Sequence, residues 1–125
     1  MKYDEVTRDN IKILIDIFYK LILQDKQLSG FFIDKLGNDM NSEKWKIHLD
    51  ILTNFWASLL LKDKSYRSSP IQAHIGMDGL SEKDFEQWLT LFNICTKKVY
   101  IEDIANTFNK YAKNTAKSIK RGIKL

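Results

Sequence analysis

The amino-acid sequence predicts an all-α fold, because apolar residues recur at intervals of three and four along nearly all of it. One proline and five glycines in 125 residues leave few interruptions, which favours helices joined by short turns over strands. The composition, 44% hydrophobic and 29% charged, is that of an ordinary globular protein. We therefore expect residues 1–125 to form one helical domain.

The first predicted helix has a polar row at intervals of four, made of Lys12, Asp16, Lys20 and Gln24. The rest of its surface is apolar: Ile11, Leu14, Ile15, Phe18, Leu21 and Ile22. This pattern predicts a mostly buried helix with Tyr19 at the edge of its apolar surface. Gly30 and Gly37 then mark a predicted turn region that carries Phe31 and Phe32.

Two long helices are predicted to begin at serine N-caps. The helix after Ser42 has an inward stripe of Trp45, His48, Leu49, Leu52, Phe55, Trp56 and Leu59. The helix after Ser81, with Glu82 and Asp84 in its first turn, has an inward stripe of Phe85, Trp88, Leu89, Phe92, Cys95 and Val99.

Two more helices complete the predicted order. Residues 66–69 read as a loop, and the Ser69-Pro70 pair predicts a short helix that carries His74 and ends near Gly76 and Gly79. A last helix is expected from about Glu102 toward Lys120. Its predicted inward residues are Ile104, Phe108, Tyr111, Ala112, Thr115 and Ile119.

The charge is unevenly placed along the chain, which has a formal net charge of +4. From Ala105 to Leu125 there is no acidic residue, and the basic residues there are Lys110, Lys113, Lys117, Lys120, Arg121 and Lys124. Such a segment is either a solvated helix face or a patch that binds nucleic acid or an anionic membrane. We expect the solvated face, and hence no nucleic-acid or membrane partner.

The cellular location and the redox chemistry are predicted from apolar runs, signal-like segments and cysteines. Its longest apolar runs are far shorter than the roughly 20 residues that span a bilayer, and no signal-like segment opens it. The single cysteine, Cys95, excludes an internal disulfide, and we expect it in the core. These features predict a cytoplasmic protein.

The two histidines are the main chemical signal. A zinc site needs three or four protein ligands, and the pair His48 and His74 falls short of a recognisable set. Haem needs less, because the macrocycle supplies four nitrogens and one proximal histidine completes the attachment. The sequence has no Gly-rich phosphate loop or nucleophile elbow, and its carboxylate pairs sit at helix starts, so we expect no catalytic residue of those kinds.

The aromatic and histidine residues follow a specific order: Phe18-Tyr19, Phe31-Phe32, Trp45-x-x-His48, Phe55-Trp56, Tyr66-x-x-x-Pro70-x-x-x-His74 and Phe85-x-x-Trp88-Leu89-x-x-Phe92. Over about residues 11–99 this pattern resembles the group III truncated haemoglobins. The resemblance implies a two-over-two helical sandwich around haem b. One departure is Ser68, where many relatives have glycine.

The resemblance also implies roles for individual residues. His74 would be the proximal iron ligand, and Tyr19, His48 and Trp88 would form the distal pocket. Two alternatives stay open for His48, which are a gate to the pocket and a ligand of the iron itself. The remaining residues of the implied haem-binding set are Phe18, Phe32, Leu52 and Phe55. Arg67 and Tyr66 are candidates to meet the propionates, because a guanidinium pairs well with carboxylates, and the favoured alternative for Arg67 is a solvent-exposed place in the loop.

Three functions follow from these observations and stay open on the sequence. The first is a haem protein that binds or transports oxygen, or binds nitric oxide, with Tyr19 and Trp88 as hydrogen-bond donors. The second is a peroxidase-like or nitric-oxide-oxidising enzyme that uses the same pocket and an external reductase. The third has no haem and is a basic helical module that binds nucleic acid or a membrane through Lys113, Lys117, Lys120 and Arg121.

Overall fold

The computed structural model describes residues 1–62 and 79–125, and within these ranges the chain is helical. Its helices are α1 (Arg8–Gln24), α2 (Ser29–Leu36), α3 (Glu43–Leu60), α4 (Glu82–Val99) and α5 (Glu102–Gly122). The prediction of an all-α fold is confirmed. The predicted loop at 66–69 and the short helix with His74 lie outside the described residues.

Side-chain caps fix where the long helices begin. Thr7 and Asn10 form a reciprocal capping box at the start of α1, with hydrogen bonds of 2.9 and 3.1 Å. The Ser42 hydroxyl accepts from the backbone N–H of Trp45 at 3.4 Å, as the sequence predicts for α3. The Asp84 carboxylate accepts from the backbone N–H of Ser81 at 2.9 Å, which caps α4.

The segment that carries Phe31 and Phe32 is a helix, so the prediction of a turn region is wrong there. Gly30 lies in the first turn of α2, and Gly37, with φ of 79°, ends it. The turn before α2 is held by Asp25, whose carboxylate accepts from the backbone N–H groups of Gln27 and Leu28 at 3.1 and 2.9 Å.

Helix α1 is central, because it packs against α2, α3 and α4, while α5 packs against α4. Seven α1 residues are buried: Asn10, Ile11, Leu14, Ile15, Phe18, Tyr19 and Ile22. Tyr19 is 4% exposed, so the prediction that it lies at the edge of the apolar surface is wrong. Rings from α2 and α3 cover it, and the missed helix α2 is the reason for the error.

The N-terminal residues tie the corner between α4 and α5 to the start of α1. Tyr3 pairs with the chain around Tyr100 through backbone hydrogen bonds of 2.9 and 3.0 Å. The buried Tyr100 hydroxyl donates to the Asn10 side-chain oxygen at 2.6 Å. Cys95 is buried and unbridged, as expected. In the part of the chain that is described, no helix is long and apolar enough to cross a membrane.

Asp84 also joins the start of α4 to the turn between α1 and α2. Its carboxylate accepts from the Ser81 hydroxyl at 3.0 Å and from the Gln27 amide at 2.9 Å. A second bond runs between the same two segments, from the Gln87 amide to the Asp25 carboxylate at 2.9 Å. Burial raises the pKa of Asp84, but the hydrogen bonds outweigh it and hold the pKa below its ordinary value of 3.8.

This lowered pKa predicts an acid-sensitive contribution to stability. Because the folded carboxyl has the lower pKa, its stabilisation is present at neutral pH and is lost as the pH falls through the folded value, below about 4. We expect Asp84→Asn to lower the free energy of unfolding by about 1 kcal/mol at neutral pH, and by less in acid. Urea unfolding at both pH values measures the difference.

The matched control is Glu82→Gln in the same first turn. Glu82 is exposed and forms a surface ion pair with Lys120 at 3.1 Å, so we expect a smaller change in stability. A loss in Asp84→Asn that stays the same at both pH values would contradict the assignment.

Candidate functional site

Two consecutive residues of α1 reach two different aromatic clusters. Phe18 contacts the rings of Trp88 and Phe92 on α4, with centroids 5.2 and 5.1 Å away. Tyr19 faces α2 and α3, where its ring lies 5.4 Å from His48 and 5.4 Å from Phe32. Neighbouring helical residues point about 100° apart, so a helix buried on most sides can serve both clusters.

The first cluster, here called the His48 cluster, consists of Tyr19, Phe32, Trp45 and His48. The imidazole of His48 stands edge-on to the rings of Tyr19 and Trp45, at interplanar angles of 89° and 88°. Phe32 lies 6.3 Å from the imidazole. The Nε2 atom of His48 is buried in this setting. The structure therefore places the histidine of the α3 stripe on the inside of the molecule, against rings from α1, α2 and α3.

The Tyr19 hydroxyl connects this cluster to α4. Burial raises the pKa of Tyr19, and a hydrogen bond from the Trp88 side chain lowers it only in part, so the pKa lies above its ordinary value. The phenol therefore keeps its proton at physiological pH. It accepts from the indole N–H of Trp88 and still carries an O–H that can donate.

The second cluster, here called the Phe92 cluster, consists of Phe18, Trp56, Trp88, Phe92 and Phe108. Phe92 is stacked between two indoles, with Trp56 at 4.9 Å and Trp88 at 5.2 Å, and interplanar angles of 18° and 11°. Stacked and edge-on rings of this kind each add to the stability gained by burial. This packing fixes the indole of Trp88 where its N–H meets Tyr19.

Leu52 and Phe55 continue the inward face of α3 beyond His48. They follow it by four and seven positions, which places all three on one side of the helix. Both side chains are half-buried and pack against the main core. They form an apolar surface next to the polar groups of the His48 cluster.

The structure brings together five of the residues that were predicted for the site: Phe18, Tyr19, Phe32, His48 and Trp88. Leu52 and Phe55 lie on the same face of α3 as His48. His74 and Arg67, with the neighbouring Tyr66, lie outside the described residues.

Trp45 belongs to the site and was not predicted as part of it. The side chain is 0% exposed, and its indole N–H donates to the carbonyl of Gly37 at 2.7 Å. Its spacing of three from His48 was the available signal, because residues three apart share a helix face.

The arrangement has side chains of the kinds that line sites for flat organic cofactors. Aromatic and aliphatic side chains form most of it, and Tyr19, His48 and Trp88 supply a few polar groups, as in typical cofactor sites. Among residues 1–62 and 79–125, no group of three or more histidine, cysteine or acidic side chains could hold a metal ion.

Known proteins are similar to this chain in fold and in sequence, although no family model matches it. The group 3 truncated hemoglobin ctb of Campylobacter jejuni is 32% identical over 116 residues, which cover 93% of this chain and 90% of the relative. The crystal structure of a group III truncated hemoglobin from Campylobacter jejuni matches with a TM-score of 0.90 and 30% identity, over 98% of this chain and 95% of that one.

These matches confirm both the resemblance and the truncated-globin fold that the sequence predicted. Membership implies a haem-binding globin with a diatomic gas ligand. The chain belongs to the group III truncated haemoglobins.

Proposed function

We propose that this protein binds haem b through His74 and holds a diatomic ligand, such as oxygen or nitric oxide, beside Tyr19, His48 and Trp88. The observation that carries the proposal is the meeting of these three polar side chains inside one aromatic enclosure. Core packing alone requires no such group of polar side chains at one place.

The described residues fit a haem group in their chemistry. Phe32, Leu52 and Phe55 provide apolar surface suited to a flat macrocycle. The polar groups next to that surface are neutral donors or a histidine, and none is a carboxylate. The site therefore suits an uncharged ligand that gains partial negative character.

Each remaining residue of the predicted set has a separate task in this proposal. A neutral imidazole nitrogen of His74 would hold the iron. Phe32 and Leu52 would pack against the macrocycle. The guanidinium of Arg67, together with Tyr66, would pair with the propionates.

Haem, when bound, supplies an iron centre that coordinates the diatomic ligand and donates electron density to it. Tyr19 then acts as a donor through its O–H, which its raised pKa keeps in place. The bond that Tyr19 accepts from Trp88 polarises the phenol and strengthens it as a donor. His48 stands edge-on to the Tyr19 ring, and in this proposal it limits the entry of water.

A second function uses the same donors. Side chains that retain a ligand strongly favour reaction over release, which suits a peroxidase-like or nitric-oxide-oxidising enzyme better than oxygen transport. Such turnover needs an external electron donor. Catalytic loss of nitric oxide on addition of a cellular reductase would favour the enzyme.

The first test is the visible spectrum of the protein produced with haem, compared with His74→Ala and His48→Ala. We expect a strong Soret band in the wild type, loss of stable haem attachment in His74→Ala, and its retention in His48→Ala. Circular dichroism checks folding in each case. A folded wild type that takes up no haem would overturn the proposed function.

The second test concerns the donors. We expect Tyr19→Phe to speed oxygen dissociation by about fivefold or more, the effect of losing one hydrogen bond of about 1 kcal/mol. Trp88→Phe should speed it by less, because this variant removes only the bond that Tyr19 accepts. Stopped-flow displacement with carbon monoxide measures the rate.

Tyr100→Phe is the matched control, because it removes a buried hydroxyl that donates to Asn10 and lies outside the His48 cluster. Its dissociation rate should equal that of the wild type. Equal rates for Tyr19→Phe and the wild type would exclude Tyr19 as a donor to the ligand.

A further inference from the structure

We propose that Trp45 is the positioning residue of His48. The hydrogen bond from its indole to the Gly37 carbonyl fixes the ring of Trp45, and that ring keeps the imidazole of His48 inside the His48 cluster. The proposal rests on the proposed function only for its consequence, which is control of ligand entry.

Trp45 is held more firmly than an apolar core residue. It is among the largest fully buried side chains, and its one polar atom donates a short bond of 2.7 Å. Its ring is stacked on Phe32 at an interplanar angle of 25° and lies 5.8 Å from Tyr19. A buried indole needs an acceptor, so this bond selects one orientation of the ring.

The acceptor is itself fixed by the end of α2. Gly37 ends that helix at φ of 79°, a left-handed conformation that favours glycine, and its N–H donates to the Ile33 carbonyl at 2.8 Å. The position of the Gly37 carbonyl therefore follows from the end of α2. Phe32 is part of the same helix, so α2 supplies both the acceptor for Trp45 and a ring against His48.

The direction of side chains on a helix explains why Trp45 acts on His48. Helical side chains lean toward the N-terminus and cover the preceding turn, where residue i−3 lies. For His48 that residue is Trp45, and the two rings are perpendicular at 5.5 Å. The indole of Trp45 lies against the imidazole of His48, so a smaller ring at position 45 leaves the imidazole more room to turn.

The test compares Trp45→Phe with Trp56→Phe in the haem-loaded protein. Both variants replace a buried indole of α3 with a smaller ring, but Trp56 contacts Phe92 and Phe108 in the other cluster. Diethyl pyrocarbonate modifies accessible imidazoles, and peptide mass spectrometry reports the rate at His48. Thermal unfolding reports the general loss of stability in both variants.

We expect Trp45→Phe to raise the modification rate of His48 by about fivefold, the factor expected from losing one hydrogen bond, and Trp56→Phe to leave it unchanged. An unchanged rate in Trp45→Phe overturns the proposal. An equal rise in both variants also overturns it, because general loosening of α3 would then be the cause.

Ligand association gives an independent readout of the same coupling. After photolysis, carbon monoxide should recombine faster in Trp45→Phe and in His48→Ala, and the double variant should match His48→Ala. Additive effects would mean that Trp45 does not act through His48.

Trp45→Met is the second variant if Trp45→Phe does not fold. Methionine is an unbranched side chain that fills irregular core space but cannot donate to the Gly37 carbonyl, so we expect faster modification of His48 in this variant too, and an unchanged rate overturns the proposal. A wild type without haem overturns the proposed function, and the modification rates of His48 still decide the role of Trp45.

Discussion

The buried hydroxyl of Tyr19 is the constraint on which the arrangement of the other helices depends. Moving a phenol out of water costs free energy unless its hydroxyl group finds a hydrogen-bond partner. Here the oxygen accepts from Trp88, which ties the middle of α1 to α4. The ring of Tyr19 must also be covered, and Phe32 and Trp45 cover it from α2 and α3. This one side chain thus contacts three other helices.

Phe18 supplies apolar packing on α1 next to the buried hydroxyl of Tyr19. It sits beside Tyr19 and packs into the Phe92 cluster, so α1 is buried on two sides at the same point of the chain. Polar residues can then occupy only one narrow row of α1, where Asp16 and Lys20 form an exposed ion pair at 2.8 Å. Such a pair contributes little to stability, and the helix is held by its packing. The polar site and the core therefore share one helix without competing for the same face.

The sequence predicts those parts of the fold whose signals are local. Helices α1, α3, α4 and α5 follow from periodicity, and Ser42 and Ser81 mark two of their starts. Helix α2 could not be predicted in this way, because it has eight residues, two nearby glycines and no side-chain hydrogen bond at its N-cap. Helix α2 packs against the rest of the molecule through contacts of Phe32 with rings of other helices. Periodicity places His48 and Trp88 on inward faces and Tyr19 only at the edge of one, and the family resemblance alone predicts that the three meet.

Trp45 shows a second limit of sequence reasoning, because its hydrogen-bond acceptor is a backbone atom. The residue types alone do not predict that the carbonyl of Gly37 points toward α3. The positive φ of Gly37 at the end of α2 orients it in that direction. A substitution at position 37 keeps this carbonyl, because it belongs to the backbone. The hydrogen bond is lost only if the substitution changes the backbone conformation there. The orientation of His48 is then set by the end of a short helix that contributes no polar side chain to the pocket. Helix α2 therefore contacts His48 directly through Phe32 and indirectly through the acceptor that it provides for Trp45.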